Sequence, residues 1–401
     1  MGSDTAPASP KPKLIFLVTE DWYFWSHRLP TARAAVEAGF AVGVATRVSA
    51  HRQRIEAAGF AVYPLSWRRG DRGVANLRAV REIAALYRRE RPAVVHPIAL
   101  KAMVLGAIAA RFAGRPRMVH TLAGLGYAFT AQSLRARLLR RAIASVFRLF
   151  VNRPGSTVVF QNPDDRALLL RLGAVDAART RVIRGSGVDV EHFRPLPEPE
   201  GDRLVCALVG RMLTIKGIVT AVEAVRRVRS HGIDLHLVLV GNSDPESPSA
   251  IPPDTLEGWA AEDGITWLGR VDDVREVWQT SHIAVQPSLG GEGIPKSLLE
   301  AAACGRPIVA TDVAGCREAV VDGETGRLVP PGDSAALADA LEALCRDGDQ
   351  RRRYGAASRA LVETGLSAEA VYRQSLDVYR EVLAAAAAGG AIAVDVPPGM
   401  H

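Results

Sequence analysis

The stretch IAVQPSLGGEGIPKSLLEAAACGRPIVA, residues 283–310, carries the pattern that decides the fold. It runs from an apolar, β-rich segment through a glycine-rich loop at 290–294 into a helical pattern, and ends in a second apolar segment. Pro295 suits the first turn of a helix, which would place Glu300 about two turns inside it. The stretch therefore predicts two parallel strands joined by a helix.

The same alternation of strand and helix recurs on both sides of this stretch. Apolar segments separated by helical patterns lie at 14–19, 41–46, 61–64, 93–96, 118–121, 157–160 and 181–183, and again at 203–209, 235–240, 265–268, 283–285 and 307–310. The sequence RPLPEPEGD at 194–202, with three prolines, is typical of an exposed linker. The chain is therefore predicted to be an α/β protein with two Rossmann-like, doubly wound domains that face each other across a deep cleft.

These patterns also give the predicted domain boundaries. They are a flexible N-terminus at 1–12, a first domain at 13–195, a second domain at 196–366, a C-terminal helix at 367–386 that packs back on the first domain, and a disordered tail at 387–401. The tail is low in complexity, and its composition favours disorder.

Composition excludes several classes of protein. The 401 residues are 48% hydrophobic and 23% charged, which is typical of a soluble globular chain. Four cysteines without a CxxC pair argue against a disulfide framework and a cysteine zinc site. Because no segment resembles a signal peptide or a membrane span, we expect a cytoplasmic protein.

Charge is divided unequally along the chain. Residues 1–190 carry 30 Lys and Arg against 12 Asp and Glu, whereas the remainder carries 20 against 31. No acidic residue lies between Glu90 and Asp164, an interval with eleven basic residues. An anionic partner for the first half is therefore expected, although an arginine-rich solvated face would give the same pattern.

Residues 133–151, SLRARLLRRAIASVFRLFV, form a basic amphipathic helical pattern inside that interval. Such a helix can lie in a membrane interface and bind anionic headgroups, or it can face the core with an arginine-rich outer side, and the sequence leaves both interpretations possible. Nucleic acid ranks last, because no recognisable reader motif accompanies the patch. The residues expected to face a membrane or acceptor are Arg135, Arg137, Arg140, Arg141 and Arg148.

The residues best suited to chemistry lie in the second half. Arg211 and Lys216 follow a predicted strand and precede a helix, a position suited to holding a phosphate or pyrophosphate. Glu292 in the glycine-rich loop and Glu300 on the following helix are two acceptors for the hydroxyl groups of a sugar or a ribose. Taken alone, Arg211 and Lys216 would more often be surface charges than ligands, and Glu300 could equally be a solvated glutamate.

Taken together, these motifs resemble a known family. VGRMLTIKG at 209–217 and EGIPKSLLEAAACGRPIVATDVAGCREAVVDGETGRLVPPGD at 292–333 are similar to the family 4 retaining glycosyltransferases of GT-B fold, whose E-x7-E arrangement matches Glu292 and Glu300. SHRLPTAR at 26–33 and VVHPIALKA at 94–102 resemble the bacterial branch that builds capsule, O-antigen and related glycans on undecaprenyl diphosphate.

The resemblance implies roles for particular residues. Arg211 and Lys216 would neutralise the donor diphosphate, Glu300 would hold the ribose hydroxyls, and Glu292 would contact the transferred sugar. A histidine of the first domain, His120, would lie near that sugar and take part in catalysis. The remaining donor-binding positions that it implies are Gly291, Gly293, Ile294 and Pro295.

Neither a metal nor another cofactor is expected. The sole DxD, Asp347 to Asp349, falls in a polar turn between helices, and no clustered histidine signature appears. The nucleotide-sugar is then a substrate, and neutralisation of its diphosphate depends on Arg211 and Lys216.

The first loop, predicted at residues 19–27, departs from the family by lacking a Gly-Gly pair. Its aromatic side chains could stack on a sugar or lipid, or pack between strand and helix, and packing is slightly favoured. His27 and His96 are interpreted as structural.

The predicted function is transfer of a sugar, with retention, from a nucleotide diphospho-sugar to a polyprenyl-diphosphate-linked saccharide in cell-surface polysaccharide synthesis. The donor is expected to be a UDP-sugar, and the protein is expected at the inner face of the cytoplasmic membrane. Two alternatives remain at this stage: a nucleotide-sugar 2-epimerase of the same architecture and a non-catalytic scaffold subunit.

Overall fold

Two parallel β-sheets form the framework of the protein, which the computed structural model describes over residues 11–68, 70–125 and 134–390. The first sheet has seven strands in the order β3-β2-β1-β4-β5-β6-β7, and the second has six in the order β10-β9-β8-β11-β12-β13. Helices cover the faces of both sheets, as parallel crossovers require. The predicted pair of doubly wound domains is confirmed.

The strands and helices follow the predicted alternation closely. The strands are β1 (Lys13–Glu20), β2 (Ala41–Arg47), β3 (Ala61–Pro64), β4 (Val94–Pro97), β5 (Arg117–Leu122), β6 (Ser156–Phe160), β7 (Thr180–Val182), β8 (Leu204–Val209), β9 (Leu235–Val240), β10 (Ile265–Trp267), β11 (Ile283–Gln286), β12 (Ile308–Thr311) and β13 (Gly326–Val329). The α-helices are α1 (Asp21–His27), α2 (Leu29–Glu37), α3 (Arg52–Ala57), α4 (Val74–Glu90), α5 (Leu100–Ala110), α6 (Leu134–Val146), α7 (Pro163–Arg171), α8 (Ile218–Ser230), α9 (Pro253–Ala260), α10 (Val274–Thr280), α11 (Lys296–Ala303), α12 (Ala314–Arg317), α13 (Ser334–Arg346), α14 (Gly348–Gly365) and α15 (Ala368–Gly390).

The order of the strands locates the cleft. In the first sheet the order reverses between β1 and β4, and in the second between β8 and β11. At such a switch point the loops leaving neighbouring strands diverge, which leaves a crevice at their carboxyl ends. The central strand β1 is flanked on both sides, and its residues 14–18 are fully buried. The crevices of the two sheets together form the cleft between the domains.

Three elements differ from the sequence prediction. The edge strand β13 was not predicted, because its four residues include an exposed arginine and give no apolar run. The stretch predicted as a loop at 19–27 contains helix α1, which begins directly after β1. The single helix predicted at 133–151 is instead α6 followed by a π-helix at Phe147–Val151.

The last helix, α15, packs on the first domain. Val371, Tyr379 and Val382 share an apolar cluster with β1, and the Tyr379 hydroxyl lies 2.7 Å from Nδ1 of His96 in β4. The helix extends to Gly390, beyond its predicted end at residue 386. Residues 1–10 of the expected flexible terminus and the tail from residue 391 lie outside the described residues.

Within the described ranges, no helix combines the length and apolarity that crossing a membrane requires.

Candidate active site

A cleft of about 430 Å³ lies between the two domains, at the carboxyl ends of their strands. Its walls include Thr19, Tyr23 and His27 of the first domain and Arg211, Lys216, Glu292 and Glu300 of the second. The cleft therefore brings together the four charged residues that the sequence places around a nucleotide-sugar.

Glu292 and Lys216 form an ion pair at the centre of the second-domain wall. Their side chains are only 20% and 18% exposed, so the pair is largely shielded from water. The second carboxylate oxygen of Glu292 accepts a hydrogen bond from Ser288 Oγ, and Gln286 Nε2 donates to that hydroxyl at 2.7 Å. This chain of hydrogen bonds begins at the end of β11 and fixes the orientation of Glu292.

Lys216 reaches the cleft because of the backbone around Gly217. A 3-10 turn at Thr214–Lys216 ends at Gly217, whose φ of 73° is in the left-handed region that favours glycine. A Cβ atom here would lie 1.9 Å from the carbonyl oxygen of Pro287. Only glycine therefore allows the loop after β8 to lie against the loop after β11, and this contact brings Lys216 to Glu292.

Arg211 lies further out on the same wall. Its Nη1 is 2.7 Å from Oδ2 of Asp244, and the Arg211 side chain remains 44% exposed. Asp244 follows β9 in a stretch without regular structure, so no sequence pattern marked it as a partner. Asp244 orients the guanidinium in this conformation, and the exposed side chain has room to turn towards a ligand.

Glu300 is a buried carboxylate one turn into α11. Helix α11 begins at Lys296, after Pro295, so Glu300 is its fifth residue rather than two turns inside it, as the sequence predicts. Lys296 Nζ lies 3.0 Å from Oε1 of Glu300. Burial raises the pKa of Glu300, and the Lys296 ammonium opposes that shift. Lys296 also lines the cleft, and sequence reasoning had assigned it no role.

The glycine-rich loop contacts the first domain directly. The amide of Gly293 donates to the carbonyl oxygen of Ala123 at 3.1 Å, and a Cβ atom on Gly293 would lie 1.8 Å from Oε1 of Gln161. The amide of Gly293, one of the donor-binding positions that the resemblance implies, thus donates to Ala123 in this conformation. Ile294 and Pro295 line the cleft beside it, and Gly291 lies in the same loop with a φ of 79°.

His120 does not line the cleft, contrary to its implied place near the transferred sugar. It is fully buried within β5, and burial lowers its pKa to about 3. Its ring nitrogens have no hydrogen-bond partner among the described residues. The reason is local, because β5 continues two residues beyond His120 and the cleft wall is formed by Ala123 instead.

His27 occupies the cleft wall that had been expected for His120. Its ring stacks on Tyr23 with centroids 4.4 Å apart, and Nδ1 lies 2.5 Å from Ser26 Oγ. Burial, together with the nearby Lys296 and Arg28 charges, lowers the pKa of His27 to about 3. The ring is therefore neutral at physiological pH and can accept or donate one hydrogen bond.

The aromatic residues of α1 divide between the two alternatives left by the sequence. Phe24 is buried and packs edge to face on Phe16 and Phe60. Trp22 and Tyr23 line the cleft. One side of this short helix therefore anchors it to the sheet, and the other side presents aromatic surface to a ligand.

The five arginines expected to face a membrane or acceptor lie on α6 and the π-helix. Arg137 and Arg141 are exposed, Arg140 is half-buried, and Arg135 is described only at the level of the backbone. Arg148 is also exposed, but it donates to the carbonyl oxygens of Gly173 and Leu172 at 2.8 and 3.2 Å. Arg148 is therefore exposed, but its hydrogen bonds also hold the backbone at Leu172 and Gly173.

No three His, Cys, Asp or Glu side chains in the described ranges are close enough together to hold a metal ion. Asp347, of the DxD sequence, caps α14 by accepting from the amide of Gln350 at 2.8 Å.

Comparison with known proteins identifies the family. The family model "Glycosyl transferases group 1" matches residues 203–347, and the model "Glycosyl transferase 4-like" matches residues 13–153. Each model thus covers much of one of the two domains.

Two curated relatives and one solved structure illustrate the range of similar proteins. A phosphatidyl-myo-inositol mannosyltransferase from Mycobacterium leprae is 35% identical over 56% of this chain and 64% of its own length. The N,N'-diacetylbacillosaminyl-diphospho-undecaprenol alpha-1,3-N-acetylgalactosaminyltransferase of Campylobacter jejuni is 28% identical over 63% of this chain and 68% of its own. Anabaena Alr3699/HepE, solved in complex with UDP-glucose, superposes with a TM-score of 0.74 at 17% identity, over 92% of this chain and 99% of that one.

The chain spans just under two thirds of the mannosyltransferase. The match to Alr3699/HepE, at low identity, supports the two-domain fold alone. With both domains matched by glycosyltransferase family models, the chain belongs to the group 1, or family 4, glycosyltransferases, enzymes of the EC 2.4 class with the GT-B fold.

Proposed function

We propose that the protein transfers a sugar, with retention of configuration, from a UDP-sugar to a polyprenyl-diphosphate-linked saccharide during synthesis of a cell-surface polysaccharide. The observation that carries this proposal is the convergence of Arg211, Lys216, Glu292 and Glu300 on one cleft between the domains. Two cations and two hydroxyl acceptors are what a nucleotide diphospho-sugar requires of its site.

The cations act on the leaving group. As the bond to the sugar breaks, negative charge grows on the diphosphate, and positive groups already in place stabilise that charge. Lys216 and Arg211 are held by Glu292 and Asp244 in the structure, so they are positioned before the donor arrives. The diphosphate would then replace Glu292 and Asp244 as the partner of the two cations. Metal-independent catalysis requires that these cations neutralise its charge.

The two glutamates act on the donor's hydroxyl groups. Once Lys216 turns to the diphosphate, the Glu292 carboxylate is free to accept hydrogen bonds from the transferred sugar. Glu300, deeper in the wall, would take the ribose hydroxyls. The leaving diphosphate would help to deprotonate the attacking hydroxyl on the same face of the sugar, which gives retention.

The acceptor would approach along the first-domain wall. Trp22 and Tyr23 offer flat aromatic faces there, and such faces stack well on sugar rings. The name of the Campylobacter jejuni relative specifies an undecaprenol-diphosphate-linked acceptor, which supports an acceptor of the same class here.

An exposed surface of leucines and arginines on α6 supports a lipid-linked acceptor. Leu138 and Leu139 of α6 are 57% and 49% exposed, and they lie among the exposed Arg137 and Arg141. Exposed leucines between arginines match an anionic membrane interface, where the leucines enter the acyl boundary and the arginines meet headgroups. We therefore place the protein at the inner face of the cytoplasmic membrane, bound peripherally.

The first experiment is a thermal-shift panel with UDP, GDP, ADP and CMP on the wild type and on Arg211→Ala. A ligand that binds the folded state raises the unfolding midpoint, so UDP should raise it in the wild type and much less in the variant. No shift with any nucleotide would contradict the proposed donor and favour a non-catalytic scaffold.

The second experiment is product analysis with a UDP-sugar in the presence and absence of a polyprenyl-diphosphate saccharide. The proposal requires UDP release that depends on the acceptor and a product that gains one sugar. Conversion of the donor without any acceptor would instead indicate a nucleotide-sugar 2-epimerase.

A further inference from the structure

Lys296 is a third cation in the cleft, and the roles assigned above do not use it. We propose that Lys296 is a positioning residue for the nucleotide, holding the Glu300 carboxylate in place to accept the two ribose hydroxyls. This inference rests on the proposed function, because it assumes a nucleoside diphosphate donor in this cleft.

The geometry places Lys296 where it can act on Glu300. The two residues are one turn apart on α11, and Lys296 Nζ lies 3.0 Å from Oε1 of Glu300. The lysine side chain is 28% exposed and the glutamate side chain only 10%. Since a carboxylate offers about four acceptor positions, Lys296 fixes its orientation and leaves positions for a pair of hydroxyl groups.

The charge of Lys296 matters because Glu300 is buried. Burial favours the protonated carboxyl, and the Lys296 ammonium counteracts this, so its removal should raise the pKa of Glu300 further. The other titratable groups near Glu300 are Cys304, directly after the end of the same helix, and His192 from the segment before the linker. A protonated Glu300 would lose acceptor capacity for the ribose.

Lys296 also acts across the cleft. Among the charged groups near His27, Lys296 has the largest effect, and it lowers the pKa of that histidine. One ammonium thus favours an ionised glutamate on one wall and a neutral histidine on the other. A direct contact between Lys296 and a phosphate is the competing explanation. The two explanations predict different effects of the ribose hydroxyls on the affinity for UDP.

The test compares UDP with 2′,3′-dideoxy-UDP, by calorimetry, on the wild type, Lys296→Met and Lys296→Arg. In the wild type, loss of both ribose hydroxyls should weaken binding strongly. In Lys296→Met, UDP should bind about fivefold more weakly, and loss of the hydroxyls should then matter much less. Lys296→Arg retains the charge and should restore most of the affinity for UDP.

The pH dependence gives a second readout. Because removing the ammonium raises the pKa of Glu300 further, the affinity of Lys296→Met for UDP should fall more steeply than that of the wild type as the pH is lowered from neutral. The matched control is Arg78→Met, which removes a basic residue paired in the same i,i+4 order with Glu82 on α4. It should leave UDP binding unchanged.

Each result has a distinct meaning. If Lys296→Met weakens UDP and dideoxy-UDP equally, Lys296 acts on the phosphates and the positioning role is wrong. Unchanged affinity for UDP in a variant with a normal unfolding midpoint also overturns it. If the wild type binds neither nucleotide, the proposed donor fails, and this inference fails with it.

Discussion

Replacing Glu292 by glutamine should have opposite effects on binding and on catalysis. In the structure Glu292 is paired with Lys216, so a donor diphosphate must compete with this carboxylate for the lysine. The introduced amide would keep the shape of the side chain and could still accept from Ser288, but it would remove the competing charge. UDP should therefore bind more tightly to the variant, although a residue proposed to contact the sugar has been altered.

The size of the effect follows from the burial of the pair. Both side chains are about one fifth exposed, at 18% and 20%, so the pair is partly desolvated and its coupling exceeds that of a fully exposed pair. A coupling of about 1 kcal/mol corresponds to about fivefold in Kd. The rate of transfer should fall by about 100-fold or more, because a neutral amide accepts hydrogen bonds from the transferred sugar more weakly than a carboxylate does.

Calorimetry with UDP and a transfer assay with the UDP-sugar measure the two effects separately. The control is Glu262→Gln, which makes the same chemical change in a surface ion pair with Arg226 and should alter neither quantity. Weaker binding of UDP to Glu292→Gln would refute the competition between carboxylate and diphosphate. An unchanged transfer rate would refute the placement of Glu292 at the reacting sugar.

Three further predictions test other parts of the molecule. The double substitution Arg140→Glu and Arg141→Glu should reduce binding to anionic liposomes at physiological salt while leaving affinity for UDP intact. If the variant binds liposomes as well as the wild type does, α6 does not contact the membrane. His120→Leu should leave transfer near the wild-type rate. The pKa of His120 is lowered to about 3, so the wild type loses stability as the pH falls from about 6.5 towards 3. The free energy of unfolding of this variant should therefore fall less over that pH range. Gly293→Ala should slow transfer without lowering the unfolding midpoint greatly. The Cβ of the introduced alanine would lie 1.8 Å from Gln161 Oε1 and would hold the two domains apart. A normal rate of transfer would show that close contact at Gly293 is dispensable.

The alternating pattern was enough to predict the two sheets. Buried parallel strands are continuous apolar runs, and β1 and β8 are recognisable as such without tertiary information. Glu292 and Glu300 also line the same cleft, because a loop and the helix that follows it keep residues that are close in sequence close in space. Short edge strands such as β13 give no comparable signal, because pairing along one side only does not require an apolar run.

The differences between the structure and the sequence prediction have tertiary causes. Whether His120 or His27 lines the cleft depends on where β5 ends and where α1 begins. Among the described side chains of the 133–151 segment, Ala144, Phe147 and Val151 are buried, whereas Leu138 and Leu139 are exposed. The π-helix adds a residue to the turn and rotates the buried face, which a regular helical period cannot anticipate.

The return of α15 to the first domain has a consequence for how the chain folds during synthesis. Val371, Leu376 and Tyr379 complete the apolar cluster around β1, yet the ribosome makes them after the whole second domain. Part of the first domain's core therefore stays uncovered while the second domain is translated and folds. An isolated fragment that ends at the linker would keep that uncovered surface and should therefore aggregate.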